Sequence, residues 1–372
     1  MSPSLLSPED LKAGEDARAK FAALEPSPEL ADHPVLARRL ADLGFFPYLI
    51  PAGFGGATTL VRVGTLCAIR EQLAYFSPAA DSIFAVHGLG THPLVLGGSP
   101  EQRAEHLVPA AAGKTLWAFA LTEPEAGSDV AALSTSATRD GDHYLLRGAK
   151  RFISNAGVAS HYTLFARTSE GPKGISAFIV PAGTHGLQVR PMELMGDHPI
   201  GELELTDCRI PASALIGKEG DGMRLALGTL DTFRTTVGAA AVGMARRALD
   251  EAVAYARGRR QFGKPLSELA AVQNLIADSA VELEAAQLLV HRAAAVKDGG
   301  QARIPYEAGV AKLFATEAAQ RIIDRCLQVH GGNGVVKGFA VERLYRDVRA
   351  LRIYEGASEV QRMLIARHLL SS

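Results

Sequence analysis

One carboxylate followed by a glycine, Glu355-Gly356 in RIYEGASEV (352–360), is the first feature able to do chemistry. Read alone, Glu355 is better explained by a surface charge at a helix end than by an acid or base aimed into a site. FALTEPEAGSDV (119–130) sets Thr122, Ala126, Gly127 and Ser128 after a strand-like run. Their N–H groups and hydroxyls suit a flat polar ring or an anion, although a polar β-turn organised by Asp129 accounts for them too. In RFISNAG (151–157) an aromatic precedes a hydroxyl by two residues, which fits the face and edge of a ring or a strand leaving the core. RRQFG (259–263) puts Arg259 and Phe262 one turn apart at a predicted helix end, where a guanidinium beside an aromatic suits a diphosphate next to an adenine. The alternative is a C-terminal cation with Gly263 as the cap. LQVHGGNG (327–334) joins Gln328 to a glycine-rich bend that lets backbone approach a ligand, or that merely caps a helix.

The elements that must hold these residues follow from periodicity. Residues 1–116 read mostly as helix, with VLARRLADLGFF (35–46) and LVRVGTLCAIREQLAYF (60–76) at helical spacing around the turn PAGFGG (51–56). From 117 to 217 the pattern changes to short strand-like pieces spaced by Gly, Pro, Asn and Asp, which predicts a small β-barrel or sandwich. From 218 to 372 helices return at 238–260, 270–299, 305–331 and a closing segment, which predicts an antiparallel four-helix bundle. Within the closing segment, VERLYRDVRALRIY reads as a helix stopping at Gly356, with Ser358 and Gln361 as a capping box for the next helix. The fold class is thus multi-domain α+β in the order α, β, α; without βα alternation a doubly wound nucleotide domain is not expected.

Composition narrows the function classes. Among 372 residues, 39 Lys and Arg balance 40 Asp and Glu, which argues against nucleic-acid or anionic-membrane binding by bulk charge. No secretory leader and no apolar run long enough to span a membrane is evident, so the expectation is a cytoplasmic protein. Cys67, Cys208 and Cys326 stand far apart, so neither a disulfide framework nor a zinc site is expected, and the metal expectation is none. GLGTHPLVLGG (88–98) begins like a dinucleotide fingerprint but has Pro93 at the sixth position. GxxxxGK[ST], HExxH and GxSxG are absent, so the usual anchors of NAD, ATP, zinc-hydrolase and serine-hydrolase sites are missing.

Each stretch is weak alone, but TEPEAGSD, FISN, LDTFR, RRQFG, QVHGGNG, RLYRDVR and IYEGASE occur together and in order. In that set the chain resembles the acyl-CoA dehydrogenase family over nearly its whole length. The resemblance implies FAD bound between the β domain and the C-terminal helices. It implies cofactor contacts from Leu121, Thr122, Ser128, Phe152, Ser154, Gln273, Ala357 and Glu359, and contacts from Arg259, Phe262, Gln328, Gly331 and Gly332 to the FAD of a neighbouring subunit. A homotetramer or homodimer follows from that sharing. Ser128, Asp231, Phe233, Arg234, Tyr354 and Gly356 match substrate positions, and Glu355 matches the catalytic base.

Such a base removes the Cα proton of a thioester while the β-hydride leaves to flavin N5, giving a trans-2-enoyl thioester. The Cα proton is a very weak acid, so an aligned base and stabilisation of the enolate are both needed. Family branches with the base on the helix residue before the arginine of LDTFR would use position 233; Phe233 cannot accept a proton, and its ring is expected instead to narrow the acyl tunnel. Two departures remove polar contacts to FAD: Ala357 replaces the usual Thr and Ala270 a common Gln, at about 1 kcal/mol each, with Gln273 placed to compensate. HPIGELEL likewise departs from the usual Ser/Thr-bearing stretch after MG.

The expected activity is oxidation of an acyl-CoA in fatty acid metabolism, with an electron-transfer flavoprotein as acceptor. The alternatives are a dehydrogenase or oxidase of a carrier-protein-bound acyl or aminoacyl thioester, and a flavin-free binding protein of the same fold.

Overall fold

Serine–proline starts lay down much of the N-terminal third of the chain. The structure, a computed structural model, describes residues 5–23, 32–171 and 173–371. Helix α1 (Pro8–Ala22) opens with a capping box between Ser7 and Asp10. After α2 (His33–Asp42) and α3 (Val63–Phe76), Ser77 caps α4 (Pro78–Gly97), and a second box, Ser99 with Gln102, opens α5 (Pro100–Ala111). Each Pro sits where a missing N–H costs nothing. The predicted helix 35–46 ends early, at Asp42, because Phe45 and Phe46 leave it to enter the core. GLGTHPLVLGG forms the second half of α4 and its C-cap, Gly98, and its 88–94 stretch is buried.

The β region forms one eight-stranded sheet from β1 (Trp117–Ala120), β2 (Ser136–Asp140), β3 (His143–Ser154), β4 (His161–Arg167), β5 (Ile175–Pro181), β6 (Leu187–Pro191), β7 (Ile200–Pro211) and β8 (Leu215–Ile216). The order is β6-β7-β3-β2-β4-β5-β8, with β1 running parallel to β4. Strand β5 is buried along nearly its whole length, whereas β6 is largely exposed.

The C-terminal region begins earlier than residue 238, with α6 (Gly222–Gly258), a single helix of 37 residues. It is followed by α7 (Ala270–Asp298), α8 (Pro305–His330), α9 (Ala340–Val348) and α10 (Ser358–Leu370). The predicted fourth long helix is therefore two short ones separated by a 3-10 turn, Arg349–Arg352, and a non-helical bend. Helix α3 lies so close to α6 that a Cβ on Gly243 would come within 2.0 Å of the Glu71 carbonyl oxygen. Only glycine permits that approach, and it welds the N-terminal helices to the bundle.

Two apolar clusters result. One joins helices α1 through α5 and the early turns of α6 to the sheet; the other joins the opposite side of α3 to α6, α7, α8 and α9. The three cysteines are buried and unpaired in them. Among the described residues no helix is long and apolar enough to cross a membrane.

Candidate active site

The chain leaves the 3-10 turn at Arg352 and reaches α10 through Glu355 at φ 51° and Gly356 at φ 96°. A left-handed glutamate costs on the order of 1–2 kcal/mol and needs external support. Arg234 Nε donates to the Glu355 carbonyl at 3.3 Å. Lys312 Nζ and Gln361 Nε2 both donate to the Gly356 carbonyl, at 2.8 and 3.0 Å. A Cβ at position 356 would lie 2.3 Å from Gln361 Nε2 and displace that side-chain amide, and the left-handed backbone itself favours glycine there.

The expected capping box of α10 does not form. Ala357 is the N-cap, Ser358 Oγ donates to Glu317 at 2.7 Å, and Gln361 is drawn back to Gly356. The expected helix up to Gly356 also ends early, at Val348, because the left-handed bend that presents Glu355 cannot continue an α-helix.

Glu355 is half-buried as a residue, yet its Oε2 is sealed from solvent and has no hydrogen-bond partner among the described residues. Burial pushes its pKa up, against the opposing pull of Arg70, Lys312 and Arg234. Arg70 is itself buried, held by Asp81 at 2.7 and 2.8 Å and donating to Thr236 Oγ1 at 2.6 Å. Tyr354 packs beside the bundle cluster, where burial raises its hydroxyl pKa and Arg70 opposes the shift.

Helix α6 carries the LDTFR residues on its buried early turns. Asp231 accepts from Arg303 Nε at 2.9 Å and lies 3.9 Å from Arg234, which spans the gap to the Glu355 carbonyl. Phe233 is fully buried, with its ring edge-on to His92 at 5.6 Å and against the backbone of Gly88. His92 Nε2 meets Thr232 Oγ1 at 3.3 Å, Nδ1 has no partner among the described residues, and burial lowers its pKa to about 4, so the ring is neutral.

A second group lies in the β region. Burial would raise the Glu123 carboxyl, but Lys150 at 2.7 Å and bonds from Ser134 and Thr135 win and hold it at about 2. Lys150 also donates to the Leu121 carbonyl, so the pair fixes the 121–128 loop from beneath. Leu121 is buried, Thr122 half-buried and Ser128 exposed. The loop is not organised by Asp129, whose side chain makes no cap bond; Glu123 has that role. A register shift between Lys150 and Ile153 puts Phe152 at φ 56° with its ring 51% exposed, next to half-buried Ser154.

A third group gathers where α6 and α8 end. Arg259 and Phe262 do not share a helix face: α6 stops at Gly258, and residues 260–265 form a hairpin whose turn, Phe262-Gly263, is left-handed at both positions. Two-residue hairpin turns demand that conformation. Phe262 is consequently 89% exposed. Tyr255 stacks on His330 at 4.4 Å and accepts from Asn333 Nδ2 at 3.1 Å, tying this end of α6 to exposed Gln328, Gly331 and Gly332. Gln273 donates to Ser267 O within its own hairpin–helix junction, Ala357 is half-buried, and exposed Glu359 lies 3.9 Å from Arg362.

Family profiles match the chain in three consecutive blocks: acyl-CoA dehydrogenase N-terminal domain at residues 11–114, middle domain at 118–208 and C-terminal domain at 220–370. The chain belongs to the acyl-CoA dehydrogenase family. The probable acyl-CoA dehydrogenase FadE25 of Mycobacterium tuberculosis is 41% identical to this dehydrogenase over 332 residues, 88% of this chain and 85% of the relative. The caffeyl-CoA reductase–Etf complex subunit CarC of Acetobacterium woodii is 39% identical over 342 residues, 89% of this chain and 88% of the relative. A solved glutaryl-CoA dehydrogenase from Mycobacterium smegmatis in complex with FADH2 superposes with a TM-score of 0.91 at 28% identity, covering 99% and 96% of the two chains.

The dehydrogenase is an oxidoreductase whose family cofactor is FAD. Its residues fit that group: exposed Phe152 and Phe262 rings, an exposed hydroxyl at Ser128, and uncrowded glycines at 127, 331 and 332. Among the described residues no cluster of three or more His, Cys, Asp or Glu is arranged for a metal ion.

Arg70, Asp81, Lys312 and Gln361 lie in or behind the site, and neither spacing nor the family motifs singled out these positions for such roles. The signal present was a basic residue inside an apolar run, in CAIREQL and GVAKLFA.

Proposed function

We propose that the protein dehydrogenates an acyl-CoA thioester between Cα and Cβ, with Glu355 as the base. The observation that carries this reading is the sealed, unpartnered Oε2 of Glu355 on a left-handed hinge, within the field of Arg70, Arg234 and Lys312. Burial makes such a carboxylate a stronger proton acceptor, and exclusion of water by a bound substrate strengthens it further. The three cations pull the other way and favour the ionised carboxylate. Glu355 takes the α proton on its free oxygen, and its own backbone N–H is the donor assigned to the thioester carbonyl. FAD, when bound, supplies the acceptor for the β-hydride.

Leu121, Thr122, Ser128, Phe152, Ser154, Gln273, Ala357 and Glu359 are assigned to FAD of the same subunit. Arg259, Phe262, Gln328, Gly331 and Gly332 are assigned to FAD of a neighbour in a homodimer or homotetramer; the near-complete exposure of Phe262 supports that role. Asp231, Phe233, Arg234, Tyr354 and Gly356 are assigned to the substrate side. The chain is divided at 116/117 and 217/218 in this reading. The electron acceptor is an electron-transfer flavoprotein, supported by the likeness to CarC.

Anaerobic mixing of the FAD-loaded protein with a panel of acyl-CoA and pantetheinyl-protein thioesters tests the proposal. Bleaching of the flavin by an acyl-CoA is the expected result. Bleaching by carrier-protein thioesters alone would move the substrate class, and an intact flavin spectrum with every thioester would sink the reading.

A further inference from the structure

Three cations surround the base, and they differ in how their charge is neutralised. Arg70 is gripped by Asp81 through two N–H···O bonds, and Arg234 has Asp231 at 3.9 Å. Lys312, on α8, is fully buried, and among the described residues no carboxylate lies within ion-pair distance of it. A buried ammonium without a paired anion is expensive, and alanine or leucine would fill the same helix position at no such cost. The anion whose field it feels most is Glu355, ahead of Glu317 and Glu359, while Arg234 repels it.

Its hydrogen bond has an equally specific address. Lys312 Nζ and Gln361 Nε2 approach the same Gly356 carbonyl from α8 and α10. A carbonyl oxygen has two lone pairs, so two donors leave it no freedom to turn. Arg234 holds the preceding carbonyl, that of Glu355. With two consecutive peptide planes fixed, the φ and ψ of Gly356 are set, and with them the direction in which the base points.

We propose that Lys312 is a positioning residue for the base: its ammonium pins the Gly356 carbonyl together with Gln361 and supplies the uncompensated positive charge that keeps the Glu355 carboxylate ionised. This rests on the assignment of Glu355 as base. The groups facing Glu355 are Arg70 on α3, Asp81 on α4, Arg234 on α6, Lys312 on α8 and Tyr354 in its own bend, so one cation among three is being removed.

The test uses the FAD-loaded full chain, with flavin content, thermal midpoint and the pH profile of anaerobic bleaching measured together. Lys312→Gln keeps a donor but removes the charge. It is expected to retain FAD, to slow bleaching about tenfold at saturating substrate, and to move the acidic limb of the profile upward by about one pH unit. Lys312→Arg restores the limb. Gln361→Leu removes a donor without a charge, so it slows bleaching about tenfold and leaves the limb in place. That variant carries the test if Lys312→Gln does not fold.

A wild-type rate and limb in Lys312→Gln, an Arg variant indistinguishable from the Gln variant, or a wild-type rate in Gln361→Leu would overturn the proposal. Glu355→Gln is run alongside. If it bleaches as the wild type does, the assignment of the base fails, whatever the Lys312 variants show.

Discussion

Arg70 and Asp81 lie eleven residues apart on two successive helices and meet in the core through paired N–H···O bonds of 2.7 and 2.8 Å, both side chains almost wholly enclosed. Burying two charges costs several kcal/mol per ion, which their attraction offsets only when both are present. Asp81→Ala is expected to lower unfolding free energy by about 3–5 kcal/mol, because it strands a guanidinium. The double variant Arg70→Met/Asp81→Leu recovers most of that loss. Denaturant titration of the wild type and the two variants decides it; a double variant as unstable as Asp81→Ala would show that the pair is not the cause.

Glu355→Gln preserves volume and the left-handed bend but cannot accept a proton. Flavin content is expected to match the wild type, while the rate of bleaching by the best acyl thioester falls by roughly 10²–10⁴, the contribution of a positioned general base. Stopped-flow absorbance under nitrogen reads both quantities from one sample.

Phe233 fills its site against Gly88 and His92 with no exposed surface. Phe233→Ala opens a cavity and costs about 3–5 kcal/mol. If the ring bounds the acyl tunnel, the preferred acyl length also shifts toward longer chains. A stability loss with an unaltered chain-length profile would assign Phe233 to the core alone.

His87 and His92 are both buried, and burial lowers each to about 4 from an ordinary 6.5. The unfolded chain therefore takes up protons that the folded chain refuses. Stability is fully present above pH 6.5, falls as pH drops toward 4, and loses on the order of 3 kcal/mol per histidine across that window. Unfolding free energies of the wild type and His92→Leu, measured between pH 7 and 4, should diverge by about 3 kcal/mol across the window; parallel lines would contradict the assignment.

Much of this architecture is legible in the sequence where punctuation is local. Helices α7 and α8 end within a residue of their expected limits because Gly299, Pro305 and Gly331 mark them. The Glu355-Gly356 pair was legible too, since a left-handed bend writes its glycine into the sequence. Phe262 was misread as part of a helix face because a bulky residue at positive φ is a rare choice for a hairpin turn. Arg70 and Lys312 gave no readable sign of their partners. Thr236 is 166 residues from Arg70 and Gly356 is 44 from Lys312, and no periodicity reports a contact across such distances. The missing capping box has the same origin: Ser358 and Gln361 fit the local rule, but Glu317 and Gly356 offered them better partners.

Helix α6 carries Asp231, Phe233 and Arg234 on its early turns and delivers Arg259 just beyond its last one, in one uninterrupted run of 37 residues. It is a rigid ruler about 55 Å long, and it sets the span and the bearing between Asp231, Phe233 and Arg234 at one end and the hairpin that holds Phe262 at the other. One residue added between Arg234 and Gly258 would turn everything downstream by about 100° and advance it about 1.5 Å. An extra residue in a surface loop is absorbed within that loop; an extra residue inside α6 is passed on to every atom beyond it.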